Sequence, residues 1–181
     1  MIAGPSGAGK STIVRRLLER KPFRFSVSAT TRAPRSGEVD GVHYRFMDVL
    51  EFRRMVDDSE FLEWAEYGSN LYGTPLEPVL ETLDRGEDVL LEIEAQGARQ
   101  VRQVYPAALM IFIRAPSLDE LARRLRRRGD TSEDQIERRL DIARWELSIA
   151  EVLFDHVVVN EDIDEATEEV LELVNADSRS S

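Results

Sequence analysis

The chain has no cysteine among its 181 residues. This absence excludes a disulfide framework and any zinc site built on thiolates. No run of about 18 apolar residues occurs either, so a membrane-spanning helix is not expected. A secretory leader is also not expected, because the first motif begins at the fourth residue. Together these absences predict a cytoplasmic protein.

Lysine is scarce as well, since Lys10 and Lys21 stand against 22 arginines. Lys10 lies in GPSGAGKS, residues 4–11, which fits the phosphate-loop pattern G-x-x-x-x-G-K-[ST]. Glycines let backbone N–H groups turn towards phosphate oxygens, and the following helix points its positive end at the same anion. A compact ammonium fits this loop where a planar guanidinium would not.

The loop therefore predicts an ATP site in which Lys10 contacts the β- and γ-phosphates and the Ser11 hydroxyl binds Mg²⁺. The predicted ATP-binding residues of the loop are Gly4, Pro5, Ser6, Gly7, Ala8, Gly9, Lys10, Ser11 and Thr12.

Charge is unevenly distributed along the chain. The net charge of −11 argues against a general nucleic-acid binder. Residues 1–56 nevertheless carry 11 basic against 5 acidic side chains, and residues 99–145 carry 11 against 7. These basic segments indicate a local anion site, although for any single arginine a solvated helix face is the favoured interpretation. The acidic C-terminal third fits either solubility or an assembly surface, which leaves a homo-oligomer open.

Strand-like and helix-like patterns alternate. Apolar runs at residues 88–93, 108–113 and 157–159 are typical of strands buried on both faces of a parallel sheet. The alternation predicts an α/β domain with a central parallel sheet and the phosphate loop at its carboxyl edge. The predicted helices cover residues 11–20, about 48–57, 117–127, 132–150 and 162–174.

Two segments interrupt this alternation. Residues 28–75 are too long for a simple crossover and predict an inserted subdomain. Residues 123–145 are rich in arginine around Gly129 and predict a hinged lid. The predicted core of this single domain then comprises residues 1–27, 76–122 and 146–181.

The segment SATTRAPRSGE, residues 28–38, resembles guanylate kinases. Further motifs follow in the order of that family, and together they span nearly the whole chain. They are GVHY at 41–44, EFLEWA at 60–65, NLYGTP at 70–75, EIEAQG at 92–97, RRLRRRG at 123–129 and VVVN at 157–160. The resemblance implies a three-layer P-loop kinase fold with a central parallel sheet, a GMP-binding insert and a helical lid. It also implies γ-phosphoryl transfer from ATP to GMP, and to dGMP, in purine nucleotide metabolism.

The resemblance implies a guanine-reading site. Forked guanidinium groups of Arg32 and Arg35 suit a dianionic phosphate. The Glu63 carboxylate can accept from guanine N1–H and N2–H₂, a pattern that adenine does not match. Taken alone, Glu63 would be interpreted as the exposed position of an amphipathic strand, and the shared order of the family motifs reverses that preference. The implied GMP-binding residues are Ser28, Arg32, Arg35, Tyr44, Glu63, Tyr72, Gly73, Thr74 and Glu92.

The resemblance also implies the groups that neutralise charge during phosphoryl transfer. These catalytic residues are Lys10, Arg32, Arg124, Arg128 and Arg139. Asn160 is placed near the adenine, and Glu94 is placed with Ser11 at the magnesium ion. Glu92 and Glu94 share one strand face, and the division of roles between them stays open.

Two other classes of protein are also compatible with parts of this sequence. One is a guanylate-kinase-like domain that binds proteins, and the other is a different small-molecule kinase with the same loop. The intact loop and Ser28, where interaction domains carry proline, favour the enzyme. Only three residues precede Gly4, so a short first strand and a trimmed start are expected.

Overall fold

The structure, a computed structural model, describes residues 1–128 and 132–177. Its strands are β1 Ile2–Ala3, β2 Arg24–Phe25, β3 Ala29–Thr30, β4 Arg45–Phe46, β5 Phe61–Tyr67, β6 Asn70–Pro75, β7 Val89–Leu90, β8 Ile111–Arg114 and β9 His156–Val159. Its helices are α1 Lys10–Arg20, α2 Val49–Asp57, α3 Leu76–Asp84, α4 Ala95–Val104, α5 Leu118–Arg128, α6 Glu133–Leu153 and α7 Ile163–Asp177.

The chain divides into two compact units. The first comprises Met1–Pro22, Glu92–Ala95 and Ala108–Ser181, and the second comprises Phe23–Leu91 and Gln96–Ala107. The predicted bounds of the insert and of the lid stay predictions.

A parallel sheet forms the centre of the first unit. Its strand order is β1-β8-β9, with Ile2 opposite Ile111 and Ile111 opposite His156. Glu92 adds a parallel bridge to Ile2. The first three residues of β8 are apolar and at most 1% exposed, as expected for a strand covered on both faces. The predicted parallel α/β architecture is therefore confirmed.

Three helices of the first unit start at the positions that the sequence predicts, and each has a polar residue at its N-terminus. The Ser117 hydroxyl accepts from the N–H of Glu120 at 3.1 Å, in the first turn of α5. Ser132 precedes α6, and its N–H donates to the Gln135 side chain at 3.4 Å. The Asp162 carboxylate accepts from two N–H groups of α7. These contacts satisfy backbone donors that lack a partner inside the helix.

The second unit holds a mixed sheet of order β4-β3-β6-β5 and a parallel pair of β2 with β7. Strands β5 and β6 form an antiparallel hairpin whose turn contains Gly68 with φ 65°. Asp48 caps α2 by accepting from the N–H of Glu51 at 2.8 Å. Phe52 of α2 is fully buried and stacks on Phe61 at a centroid distance of 4.4 Å. The helix predicted at about residues 48–57 is confirmed as α2.

Across residues 1–128 and 132–177, none of the helices combines the length and the apolar character that a bilayer crossing requires.

Candidate active site

The phosphate loop joins β1 to α1 in a conformation that needs glycine. Gly4, Gly7 and Gly9 have φ values of 141°, 92° and 98°, which side-chained residues rarely adopt. Space is restricted too, since a Cβ at Gly4 would lie 2.0 Å from the carbonyl oxygen of Ile113. The local sequence therefore folds into a tight loop that runs directly into α1.

Lys10, the first residue of α1, is buried at the loop. Its Nζ donates to the carbonyl oxygen of Gly4 and, at 3.3 Å, to that of Pro5. The N–H of Ala8 also donates to Pro5 at 3.1 Å. The ammonium group is thus held against the loop backbone, where a phosphate-binding lysine is needed.

Asn160 supports the loop from the end of β9. Its side chain is buried, and Nδ2 donates to the carbonyl oxygen of Ala8 at 2.7 Å. A Cβ at Gly9 would lie 2.2 Å from this nitrogen, so glycine is needed for the contact. The sequence analysis placed Asn160 near the adenine and did not anticipate this support. The adenine role stays a prediction.

Two of the predicted lid arginines lie close to the loop. The Arg139 Nη1 donates to the Ser6 hydroxyl at 3.4 Å. Arg124 is fixed at both sides, by the Glu120 carboxylate at 2.7 Å and by the carbonyl oxygen of Asn160 at 2.9 Å. The side chain of Arg128 and the predicted hinge Gly129 lie outside the described residues.

The two carboxylates of the EIE segment have different surroundings. The Ser11 hydroxyl donates to Oε1 of Glu92 at 2.7 Å. Glu94 instead lies close to the side chain of Glu146, from α6, and the two carboxyl groups interact electrostatically. Ser11 and Glu92 therefore offer adjacent hard oxygen atoms, the ligand type that Mg²⁺ prefers. Within the described ranges, no three His, Asp or Glu side chains form a metal cluster.

Glu146 is a buried carboxyl that the sequence analysis missed. It is 2% exposed, and its Oε2 has no hydrogen-bond partner among the described residues. The pKa of Glu146 is raised to about 7, chiefly by burial and next by the charge of Glu94, while Lys10 opposes both. Its position within α6 resembles an ordinary core residue, so no sequence signal identifies it.

In the second unit, Glu38 orients Arg32. The two guanidinium nitrogens of Arg32 donate to the Glu38 carboxylate at 2.8 and 2.9 Å. Glu38 also accepts from the N–H of Arg35 at 2.7 Å. The hydrogen bond from Arg32 holds the pKa of Glu38 down at about 2. Glu38 was not among the predicted site residues, although it closes the same motif as both arginines.

Aromatic rings flank Arg32. Its guanidinium carbon lies 5.4 Å from the centroid of the Tyr44 ring, and Tyr44 meets Tyr72 edge to face at 6.0 Å. Tyr72 is placed by β6, where it pairs with Thr30 of β3. Ser28 lies just before β3, and its backbone carbonyl oxygen accepts from the N–H of Arg45 at 2.9 Å. The structure therefore brings Tyr44 and Tyr72 together with Arg32.

Glu63 is buried rather than exposed. It is 5% exposed, and its Oε1 accepts from the Thr74 hydroxyl at 2.6 Å. The two residues face each other across β5 and β6, next to a register shift between Phe61 and Glu63. Glycine at position 73 of β6 leaves room for the backbone of β5, because a Cβ there would lie 3.0 Å from the Glu63 carbonyl oxygen. The alternative of an exposed strand position is wrong for Glu63.

Comparisons with known proteins agree with this arrangement. The family model described as guanylate kinase matches residues 1–177. A guanylate kinase of Thermobifida fusca is 52% identical over 179 residues, which cover 98% of this chain and 91% of the relative. One of Rubrobacter xylanophilus is 53% identical over 175 residues, covering 96% and 91%.

A solved structure gives the same result. The crystal structure of guanylate kinase from Anaplasma phagocytophilum matches with a TM-score of 0.78 and 36% identity, covering 97% of this chain and 82% of that one. The predicted P-loop kinase fold is confirmed, and these matches give no support to an interaction domain. The chain belongs to the guanylate kinase family.

Proposed function

We propose that this chain transfers the γ-phosphoryl group of ATP to GMP, giving ADP and GDP. The observation that carries the proposal is the buried Glu63 carboxylate held by Thr74, in a chain that also contains an intact phosphate loop. Cytoplasmic location, a role in purine nucleotide metabolism and a homo-oligomeric state stay predictions.

The first unit supplies the ATP side. Backbone N–H groups of the loop and the Lys10 ammonium bind the β- and γ-phosphates. Arg139, within reach of Ser6, and Arg124 neutralise charge that develops on the migrating group. Arg128 is assigned to the same task. Phosphoryl transfer needs positioning and charge neutralisation more than proton transfer, and lysine and arginines provide both.

Ser11 and Glu92 are the residues that would hold Mg²⁺. The sequence analysis assigned the carboxylate role to Glu94 and assigned Glu92 to GMP. The hydrogen bond from Ser11 to Glu92 favours Glu92 at the metal, because phosphate-loop enzymes hold Mg²⁺ with the loop hydroxyl and a nearby carboxylate. An ion held by these two residues would supply neutralisation of the phosphate charge.

The second unit supplies the GMP side. Arg32, Arg35 and Tyr44 bind the phosphate, and Glu63 reads the base. Thr74 donates to Oε1 of Glu63, which orients the carboxylate without removing its remaining acceptor capacity. Adenine would place an unpaired acceptor against this carboxylate, and such mispairing in a buried site costs orders of magnitude in specificity.

dGMP is expected to be a second acceptor, because none of the residues assigned to GMP is assigned to the ribose 2′-hydroxyl. The test is ADP release with ATP and Mg²⁺, comparing GMP, dGMP, AMP, CMP, UMP and no acceptor. Release that depends on GMP or dGMP, with the others near background, is the expected result. Equal rates with AMP would refute the assigned base reading.

A charge-matched pair of variants tests whether GMP recognition depends on the buried Glu63 carboxylate. Glu63→Gln removes the buried carboxylate, whereas Glu66→Gln removes an exposed one from the same strand. We expect the first to raise the KM for GMP by about 100-fold and the second to leave it unchanged. If a folded wild-type chain releases no ADP with any acceptor, the proposed phosphoryl transfer is contradicted and a protein-interaction domain becomes the better interpretation.

A further inference from the structure

Gly97, in α4, lies directly against the side chain of Glu63. A Cβ built on Gly97 would lie 2.0 Å from Oε2 of Glu63, 2.8 Å from Cδ and 3.2 Å from Cγ. Both residues are buried. Any residue other than glycine at position 97 would therefore occupy space that the Glu63 carboxylate fills.

The backbone gives no other reason for this glycine. Gly97 lies inside α4 and does not have the positive φ of the loop glycines. Glycine in a helix interior costs about 1 kcal/mol relative to alanine. The space taken by Glu63 is thus the physical requirement that glycine meets here.

Gln100 lies one helical turn further along α4 and hydrogen-bonds to β5, the strand that carries Glu63. Its Oε1 accepts from the N–H of Trp64 at 3.2 Å, and its Nε2 donates to the carbonyl oxygen of Trp64 at 2.7 Å. Positions 97 and 100 share a helix face. The face that leaves room for the Glu63 side chain therefore also holds the backbone of the next residue.

We propose that Gly97 and Gln100 are positioning residues for Glu63, and that through it they determine the preference for guanine. This inference rests on the proposed function, in which Glu63 reads the base. A methyl group at position 97 moves the carboxylate away from the orientation set by Thr74. The contacts to N1–H and N2–H₂ of guanine then weaken, while ATP binding is unaffected.

The primary variant is Gly97→Ala, with Gln96→Ala as its matched control, because Gln96 is the exposed neighbour in the same helix. We expect Gly97→Ala to raise the KM for GMP by about 10- to 100-fold, the effect of one to two lost charged hydrogen bonds. The KM for ATP should stay within twofold. The ratio of kcat/KM for GMP over inosine monophosphate, which lacks the 2-amino group, should fall.

A double-mutant comparison separates positioning from general damage. In a Glu63→Ala background the carboxylate is gone, so adding Gly97→Ala should leave the KM for GMP unchanged. An equal fold-increase in both backgrounds, or an unchanged GMP-to-inosine ratio in Gly97→Ala, would overturn the inference. If Gly97→Ala melts below the assay temperature, Gln100→Ala tests the same support and should raise the KM for GMP several-fold.

The base preference of the wild-type chain shows whether the proposed function or only the positioning role fails. If the wild type does not prefer GMP over AMP, the proposed function fails. If the wild type prefers GMP and both Gly97→Ala and Gln100→Ala keep its KM and its base ratio, the positioning role alone fails.

Discussion

The buried Glu146 makes the stability of the chain depend on pH near neutrality. Its Oε2 has no hydrogen-bond partner among the described residues, and its pKa is raised from 4.5 to about 7. Glu146→Gln keeps the size of the side chain and removes the ionisable group. We expect this variant to be about as stable as the wild type at pH 5 and more stable at pH 8.

The sign follows from proton linkage. Between pH 4.5 and 7 the folded state holds the proton of Glu146 more tightly than the unfolded state does, so the free energy of unfolding falls as pH rises. One pKa unit corresponds to about 1.4 kcal/mol. Between pH 5 and pH 8 the wild type should therefore lose about 2 kcal/mol that the glutamine variant does not lose.

Urea unfolding at pH 5 and pH 8 measures this difference. With a denaturant slope of about 2 kcal/mol per molar urea, the wild-type midpoint should fall by about 1 M more than the variant midpoint. Glu151→Gln, an exposed glutamate of the same helix, controls for the loss of one charge. Parallel pH responses of wild type and Glu146→Gln would refute the reasoning.

Three further predictions concern other supports of the site. Glu38→Gln loosens Arg32 and should raise the KM for GMP about tenfold without changing that for ATP, measured by initial rates. Gly4→Ala combines a strained φ with a clash against Ile113 and should lower the free energy of unfolding by about 3 kcal/mol or more, measured by urea unfolding. Asn160→Ala leaves a loop carbonyl without its donor and should raise the KM for ATP about tenfold, measured with saturating GMP; an unchanged value would remove the supporting role.

Features encoded in short contiguous segments could be predicted from the sequence. The phosphate loop needs its glycines and lysine within eight residues, and Ser117 and Ser132 act within one helical turn. The apolar run that became β8 is buried as its composition indicates. Local sequence is sufficient in these cases because the interacting atoms belong to residues that are close along the chain.

Contacts between distant segments could not be predicted in the same way. Asn160 reaches Ala8 across 152 positions, and Gly97 leaves space for a side chain 34 positions earlier. Asparagine is ordinary at a strand end, and a glycine inside a helix does not identify the side chain that it makes room for, so neither residue type reveals its contact. The resemblance to a family located Glu63, but only the packing reveals what holds it.

The two shifted carboxyl groups predict different responses to pH. The pKa of Glu38, about 2, keeps this carboxylate charged between pH 6 and 8, so its pairing with Arg32 does not vary in that range. The pKa of Glu146, about 7, lies between pH 6 and pH 8, so this carboxyl group changes its charge there. Glu38 lies in the second unit with the GMP residues, and Glu146 lies in the first with Lys10. We therefore expect pH changes between 6 and 8 to alter the stability of the first unit while the pairing of Arg32 with Glu38 stays constant.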